Sequence, residues 1–286
     1  SRMTFRDILL PLLTYPVPPP EHAIRAAMRL AARLDAHLSA VLFELNPDRS
    51  AWPSSLGTYL VDISSMIGEA LSVSHANRDK ILKEIQGETA KHRVVVELLR
   101  EVTTVFPAPE SLVEHARIHD LTILPTSSQV GFERWFMEAV IFGSGAPTLL
   151  LPEHQGSEAF KKLDTVVIAW DFSRAAARAL RDALPLLTAV KDVRVLSVLN
   201  EKHIVTERTI DDLKRHLSAH GISFAHDEVD IAGSHIGDVL RAHVKDTHAD
   251  MLVMGAFGHS RVREFILGGA TASMLSDPSI PVFLSH

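Results

Sequence analysis

Several glycines follow an apolar strand pattern near the C-terminal end of this 286-residue sequence. Residues 254–271 contain Gly255, Gly258, Gly268 and Gly269, and a helix-compatible stretch resumes after them. Glycine lets a backbone approach an anion closely and adopt positive φ, and the N–H groups that open a helix attract phosphate. The spacing is neither G-x-G-x-x-G nor the Walker motif with its lysine, so dinucleotide-binding and P-loop enzymes are poor matches. The pattern therefore indicates either another kind of phosphate-binding loop or a glycine-rich surface loop without chemistry.

The composition is that of a globular protein, with 46% hydrophobic and 22% charged residues. The net charge is −6 and the sequence shows no basic patch, which argues against nucleic acid as a main ligand. The chain contains no cysteine, so disulfides and thiolate catalysis are excluded. The apolar stretch at residues 8–13 is short and contains a proline, so we interpret it as a strand rather than a signal peptide. These features predict a soluble, cytoplasmic protein that does not bind membranes.

Two halves of the sequence repeat the same order of strands and helices. The match is closest between residues 111–125 and 241–255, which place a helix, an aspartate and an apolar strand in the same register. Strands rich in Val, Ile and Leu that alternate with helices predict parallel sheets covered on both faces. We therefore predict two α/β domains at residues 3–153 and 162–286, joined by a polar linker at residues 154–162.

The spacing Gly255-x2-Gly258-x9-Gly268 resembles the nucleotide-binding motif of the universal stress protein family, G-x2-G-x9-G-[S/T]. The resemblance extends over both halves and is to the tandem, two-domain type. It implies two doubly wound domains, each with a five-stranded parallel sheet flanked by helices. In such proteins the last strands pair across domains, so an intramolecular pseudo-dimer is expected, and a homodimer of chains is a further expectation from the family.

The resemblance also implies a nucleotide site in the C-terminal domain. The aspartate after the first strand of that domain would face the nucleoside, two glycines would let the loop pass under the phosphates, and the start of the next helix would hold the phosphate oxygens. Two residues inside the loop would add hydrogen bonds. These predicted site residues are Asp171, Gly255, Gly258, His259, Ser260, Gly268, Gly269, Ala270 and Thr271.

The sequence departs from the family pattern at two positions of this site. Gly269 stands where the family usually has Ser or Thr, and the missing hydroxyl would remove about 1 kcal/mol of hydrogen bonding. Thr271 could supply a replacement hydroxyl. Phe172 stands where glycine usually follows the aspartate, and its ring either crowds the nucleoside pocket or packs on the sheet.

The first half departs further from the family pattern. Its first strand is followed by a proline cluster, Pro16–Pro20, with no aspartate. We read the segment after Leu124 as a loop that lacks the glycine spacing, and Gly143 and Gly145 as part of a turn before the last strand. The first domain is therefore expected to be a degenerate partner that supplies an interface or a different binding surface.

These features predict a cytoplasmic stress-response regulatory protein that binds ATP or a related adenine nucleotide, alone or with Mg²⁺, in its C-terminal domain. The alternative is a module on the same scaffold that binds a protein or small ligand other than a nucleotide. A third alternative is slow ATP hydrolysis, but no motif assigns a catalytic residue. Two histidine pairs on predicted helices, His115 with His119 and His216 with His220, have metal-ligand spacing but suggest no third ligand, so a solvated helix face is the simpler interpretation.

Overall fold

The computed structural model describes residues 4–46, 63–103, 109–126, 132–152, 158–200, 206–256, 258–259, 266–267, 269–276 and 278–286. The elements of the first half are β1 (Asp7–Leu13), α1 (Glu21–Leu34), β2 (His37–Leu45), α2 (Ile63–His92), β3 (Val96–Thr103), α3 (Pro109–Arg117), β4 (Leu121–Pro125), α4 (Phe132–Gly143) and β5 (Thr148–Leu151). Within the described residues, no helix combines the length and apolar character that a membrane span requires.

The second half repeats this order and adds a short two-stranded ribbon. Its elements are β6 (Thr165–Ala169), α5 (Arg174–Leu187), β7 (Asp192–Leu199), α6 (Ile210–Ser218), β8 (Ala225–Asp230), α7 (Ile236–Asp246), β9 (Met251–Gly255), β10 (Gly258–His259), β11 (Ile266–Leu267), α8 (Gly269–Ser276) and β12 (Val282–Ser285).

The main strands of both halves form one ten-stranded sheet in the order β3-β2-β1-β4-β5-β12-β9-β6-β7-β8. Each half contributes five parallel strands with the first strand in the middle, which is the doubly wound arrangement. The halves meet where β5 and β12 pair antiparallel, with Leu149 opposite the fully buried Phe283. The predicted α/β fold, five-stranded sheets and pseudo-dimer are therefore confirmed.

Apolar side chains cover both faces of the sheet in two clusters. The first cluster lies under α1, α2, α5 and α6, and the second lies under α3, α4, α7 and α8. Both clusters include residues from both halves, so the hydrophobic core is continuous across the β5–β12 junction. Burial of this apolar surface is the main favourable contribution to folding and holds the halves in one arrangement.

The interpretation of the whole segment after Leu124 as a loop was wrong, because residues 132–143 form helix α4. Phe136, Met137, Val140 and Ile141 of this helix are buried in the second cluster. Their spacing of one, four and five residues places them on one helix face. The expected turn before β5 is present at Gly145, which has a φ of 72°, but Gly143 is the last residue of α4 rather than part of the turn.

The described part of the predicted linker packs against the first half. Ala159 and Phe160 are buried in the first cluster, so this segment is more than a polar tether. A guanidinium nitrogen of Arg29 donates to the carbonyl of Ala159 at 3.2 Å, which ties the segment to α1.

Candidate functional site

A cleft opens at the carboxyl ends of β6, β7 and β9, between the first turns of α5, α7 and α8. This is the switch point of the second half, because β7 and β9 leave the central strand β6 in opposite directions across the sheet. Ligands of open α/β sheets bind at such points. Five of the predicted site residues line the cleft: Asp171, Gly255, Gly269, Ala270 and Thr271.

The other four predicted site residues lie in the segment between β9 and α8. The backbones of Gly258 and His259 form β10, which pairs antiparallel with β11 so that His259 lies opposite Ile266. Ser260 and Gly268 lie outside the described residues. A role for these four residues in binding stays a prediction.

The turn between β6 and α5 is organised by two side chains. Oδ1 of Asp171 accepts a hydrogen bond from the backbone N–H of Ser173 at 2.9 Å. The hydroxyl oxygen of Ser173 accepts one from the N–H of Ala176 at 3.1 Å and caps α5. These two bonds fix the half-buried Asp171 at the wall of the cleft and set where α5 begins.

The Phe172 ring packs away from the cleft. It lies against the Trp170 ring in an edge-to-face arrangement with centroids 5.5 Å apart, and it borders the first cluster. The ring therefore packs on the sheet and does not crowd the nucleoside pocket. Phe172 has a φ of 58°, a left-handed conformation that suits glycine and is unfavourable by about 1 kcal/mol for other L-residues. A glycine at this position would adopt that conformation without strain.

Gly255 is required by packing inside the fold. A Cβ atom on this residue would lie 2.6 Å from the backbone nitrogen of Ala176 and closer still to the carbonyl carbon of Ala175. The first turn of α5 therefore contacts the end of β9 directly. Because this contact alone demands glycine, the presence of Gly255 does not depend on a bound phosphate.

Gly269 has room for a side chain at the start of α8. A Cβ atom there would lie 3.6 Å from Cγ2 of Ile236, an ordinary van der Waals distance. The neighbouring Thr271 is buried and lines the same cleft. Residue 269, at the start of α8, lacks the hydroxyl of the family pattern. Lack of space does not explain this, because a side chain would fit there.

Gly237, Ser273 and Arg241 position α8 at the cleft and were not predicted from the sequence. Gly237 of α7 leaves space for the side chain of Ser273, because a Cβ atom on Gly237 would overlap that hydroxyl. The Ser273 hydroxyl oxygen accepts a hydrogen bond from Arg241 at 2.7 Å. A second nitrogen of Arg241 forms an ion pair with Asp238 at 2.7 Å. A glycine in the first turn of an otherwise regular helix was the one sequence signal for this contact.

The electrostatics of the cleft come mainly from backbone groups. Among the described residues that line it, Asp171 is the one ionisable side chain. The first turns of α5 and α8 place backbone N–H groups and the positive end of the helix dipole beside the cleft, and both attract an anion. The cleft therefore combines a carboxylate on one side with helix starts on the other, an arrangement that suits a ligand with hydroxyl groups and a phosphate.

The two histidine pairs differ in exposure: His115 is half-buried and His119 buried, whereas His216 and His220 are exposed. Nε2 of His115 lies 2.9 Å from Oε1 of Glu101, and Nδ1 of His119 lies 2.6 Å from the carbonyl oxygen of His115. The rings of His216 and His220 stack edge to face with centroids 5.1 Å apart. Across the described part of the chain, no group of three or more His, Asp or Glu side chains is arranged to hold a metal ion.

Comparisons with known proteins agree with this geometry. Residues 162–286 match the sequence model of the Universal stress protein family. A universal stress protein of Synechocystis sp. is 28% identical over 149 residues, an alignment that covers 51% of this chain. It also covers 49% of the Synechocystis protein, so the matched region spans about half the length of that relative.

Solved structures resemble the chain over nearly its full length. A universal stress protein from Archaeoglobus fulgidus superposes with a TM-score of 0.68 at 17% identity, covering 98% of this chain and 97% of that protein. A protein of unknown function from Pseudomonas aeruginosa superposes with a TM-score of 0.57 at 12% identity, covering 98% and 92%. At these identities the likeness concerns the fold.

Proposed function

Because its C-terminal half belongs to the universal stress protein family and its two halves share the fold of a two-domain member, we propose that this chain is a nucleotide-binding regulatory protein. ATP or a related adenine nucleotide, with or without Mg²⁺, would occupy the cleft of the second half. The proposed domains are residues 3–153 and 162–286, and the proposed setting is a cytoplasmic stress response. A homodimer of chains is also proposed, and light scattering tests it.

One observation supports the nucleotide proposal most strongly. Five residues were chosen from the glycine motif and from the turn after the first strand of the domain. All five line one cleft, although Asp171 and Thr271 are 100 residues apart. In this proposal Asp171 binds hydroxyl groups of the ribose, and the backbone N–H groups at the start of α8 bind phosphate oxygens. The orientation of the Phe172 ring against Trp170 supports it further, because the ring does not line the cleft.

A regulatory role requires that the ligand favours one arrangement of the protein over another. Helix α8 is placed to transmit such a preference, because its first residue lines the cleft while Met274 and Leu275 are buried in the second cluster. That cluster also contains Phe136 and Met137 of α4 in the first half. A nucleotide that repositions α8 would therefore alter the packing of the other half.

Titration calorimetry with ATP tests the proposal. Gly269→Asp places a carboxylate at the start of α8, where a new Cβ atom lies at an ordinary van der Waals distance from Ile236. Repulsion from the phosphates should weaken ATP binding by about tenfold or more. Gly87→Asp is the matched control, because it adds the same charge on α2 where a new Cβ atom meets nothing. Wild type that binds no ATP, or equal weakening by both variants, would overturn the proposal.

The alternative function is an interaction module that binds no nucleotide. This alternative is supported by the glycine at position 269, because α8 then lacks the hydroxyl that the family pattern has there. A thermal-shift comparison separates the two functions, because ATP at about 100 times its dissociation constant should add about 2.7 kcal/mol of stability. Phosphate release during the same incubation tests slow hydrolysis.

A further inference from the structure

The first half has its own cleft at the carboxyl ends of β1 and β4. This is the position that corresponds to the nucleotide cleft, because β1 and β4 are the counterparts of β6 and β9 in the sheet order. Its walls are the residues before α1, the side of α3 at Leu112, and Phe136 and Met137 of α4. We call it the apolar cleft.

The side chains that line the apolar cleft have almost no hydrogen-bonding capacity. Eleven of its twelve described lining residues are Pro, Leu, Val, Phe or Met, and the other is Thr126. The hydroxyl and the backbone N–H of Thr126 both already donate to the carbonyl oxygen of Leu151, at 3.2 and 2.8 Å. Among the described residues, no ionisable side chain lines this cleft.

The segment before α1 lacks the polar side chains of its counterpart in the second half. In the second half the corresponding turn contains Ser173, whose hydroxyl caps α5 and whose N–H bonds to Asp171. In the first half Pro18, Pro19 and Pro20 line the cleft, and Pro20 caps α1 without a side-chain hydrogen bond. Proline has no backbone N–H, so this wall offers neither a donor nor a carboxylate to a polar ligand.

Polar groups beside the cleft are turned into the fold. The Thr14 hydroxyl donates to the carbonyl oxygen of Phe43 at 2.9 Å and lies 2.6 Å from the Ser74 hydroxyl. The carbonyl oxygen of Thr14 accepts a hydrogen bond from the Asn77 side chain at 2.9 Å. Binding an apolar molecule would therefore leave these groups bonded as they are, whereas a charged ligand would lose its hydration without replacement.

We propose that the apolar cleft is a second ligand site, for a small, uncharged and largely apolar molecule. The chain then presents two sites of opposite chemistry at equivalent positions of its two halves. The proline wall has little conformational freedom to lose on binding, and Met137 can adjust its side chain to the shape of the ligand. This inference does not depend on nucleotide binding in the other half.

Fluorescence titration with N-phenyl-1-naphthylamine, a neutral apolar probe, tests the proposal. Wild type should bind one probe per chain saturably. Val17→Lys places a charge at the exposed rim of the apolar cleft and should weaken binding at least about tenfold, whereas Val17→Leu should retain it. Val73→Lys is the matched control, because Val73 lies on α2 with 37% exposure against 39% for Val17.

Three outcomes would overturn this assignment. They are the absence of saturable binding to wild type, equal weakening by the Val17→Lys and Val73→Lys variants, and loss of probe binding in Gly269→Asp. The last outcome would locate the probe in the cleft of the second half instead. Thermal melting of each variant shows that it is folded at the titration temperature.

Discussion

Asp120 and Asp250 make the same pair of hydrogen bonds in the two halves of the chain. Oδ2 of Asp120 accepts the backbone N–H groups of Arg6 and Asp7 at 2.8 and 3.0 Å. Oδ2 of Asp250 accepts the N–H groups of Asp164, just before β6, and of Thr165, its first residue, at 2.7 and 3.0 Å. Each aspartate thus joins the start of one strand to the start of its neighbour, and the repeated aspartate in the sequence has a structural role.

Replacing Asp250 by alanine should lower the free energy of unfolding by about 2 kcal/mol, because hydrogen bonds to a charged group contribute about 1.5–3 kcal/mol. Asp120→Ala should have a smaller effect, about 1 kcal/mol, since Asp120 is more exposed to water. Urea denaturation of both variants measures the difference. A larger loss for Asp120→Ala than for Asp250→Ala would contradict the burial argument.

The Phe172 ring gives a second prediction. Phe172→Gly should relieve the left-handed backbone but remove the ring contact with Trp170, which is worth about 0.5–1.5 kcal/mol beyond its buried area. We expect a net loss of stability in thermal melts. ATP affinity should change by less than about threefold, under 1 kcal/mol, because the ring does not line the cleft. A large gain in affinity would show instead that the ring obstructs binding.

Much of the fold could be predicted from the pattern of the sequence. Apolar strands alternating with helices predicted parallel sheets, the family resemblance implied five strands in each, and the repeat around Asp120 and Asp250 predicted the equivalence of the two halves. Helix α4 was not predicted, because the segment was compared with a glycine motif and its stripe of Phe136, Met137, Val140 and Ile141 was overlooked. These four residues are buried by contacts with elements that are distant in the sequence, so the local pattern alone does not show their burial.

The location of the candidate site could be predicted from the sequence, but the role of each glycine in it could not. The glycine spacing pointed to the start of α8, but it could not distinguish a glycine needed for a ligand from one needed for packing. Gly255 is needed for packing, because α5 contacts it directly. Gly269 is not needed for packing, because it has space for a side chain. The direction of the Phe172 ring depends on a backbone angle and on Trp170, and neither is encoded by residue spacing.

Restoring a hydroxyl at the start of α8 gives a third prediction. Gly269→Ser should tighten ATP binding several-fold, since one added hydrogen bond contributes about 1 kcal/mol. Gly269→Ala is the control, because it adds the same Cβ atom at an ordinary distance from Ile236 without the hydroxyl. Calorimetric titration compares the three proteins. Equal affinities for the serine and alanine variants would mean that no phosphate oxygen lies within reach of residue 269.

Asp227 predicts how stability changes with acid. Two nitrogens of Arg194 donate to its two carboxylate oxygens, both at 2.8 Å, and Nε2 of His243 lies 3.2 Å from Oδ2. The hydrogen bonds from Arg194 lower the pKa of Asp227, and its partial burial opposes them. The folded-state pKa therefore lies below the unfolded value of about 3.9, so this carboxylate stabilises the fold above about pH 4 and loses that contribution as the pH falls further.

Asp227→Asn should therefore lower the free energy of unfolding at pH 7 by about 1–3 kcal/mol, because Arg194 then donates to a neutral group. The difference from wild type should shrink as the pH falls below about 4, because protonation of Asp227 progressively gives wild type a neutral side chain at this position too. Urea denaturation at several pH values measures both proteins, and Asp211→Asn controls for loss of a carboxylate that is 85% exposed. A stability difference that stays constant down to about pH 2 would show that packing around the β7–β8 edge, rather than ionisation of Asp227, is what the substitution removes.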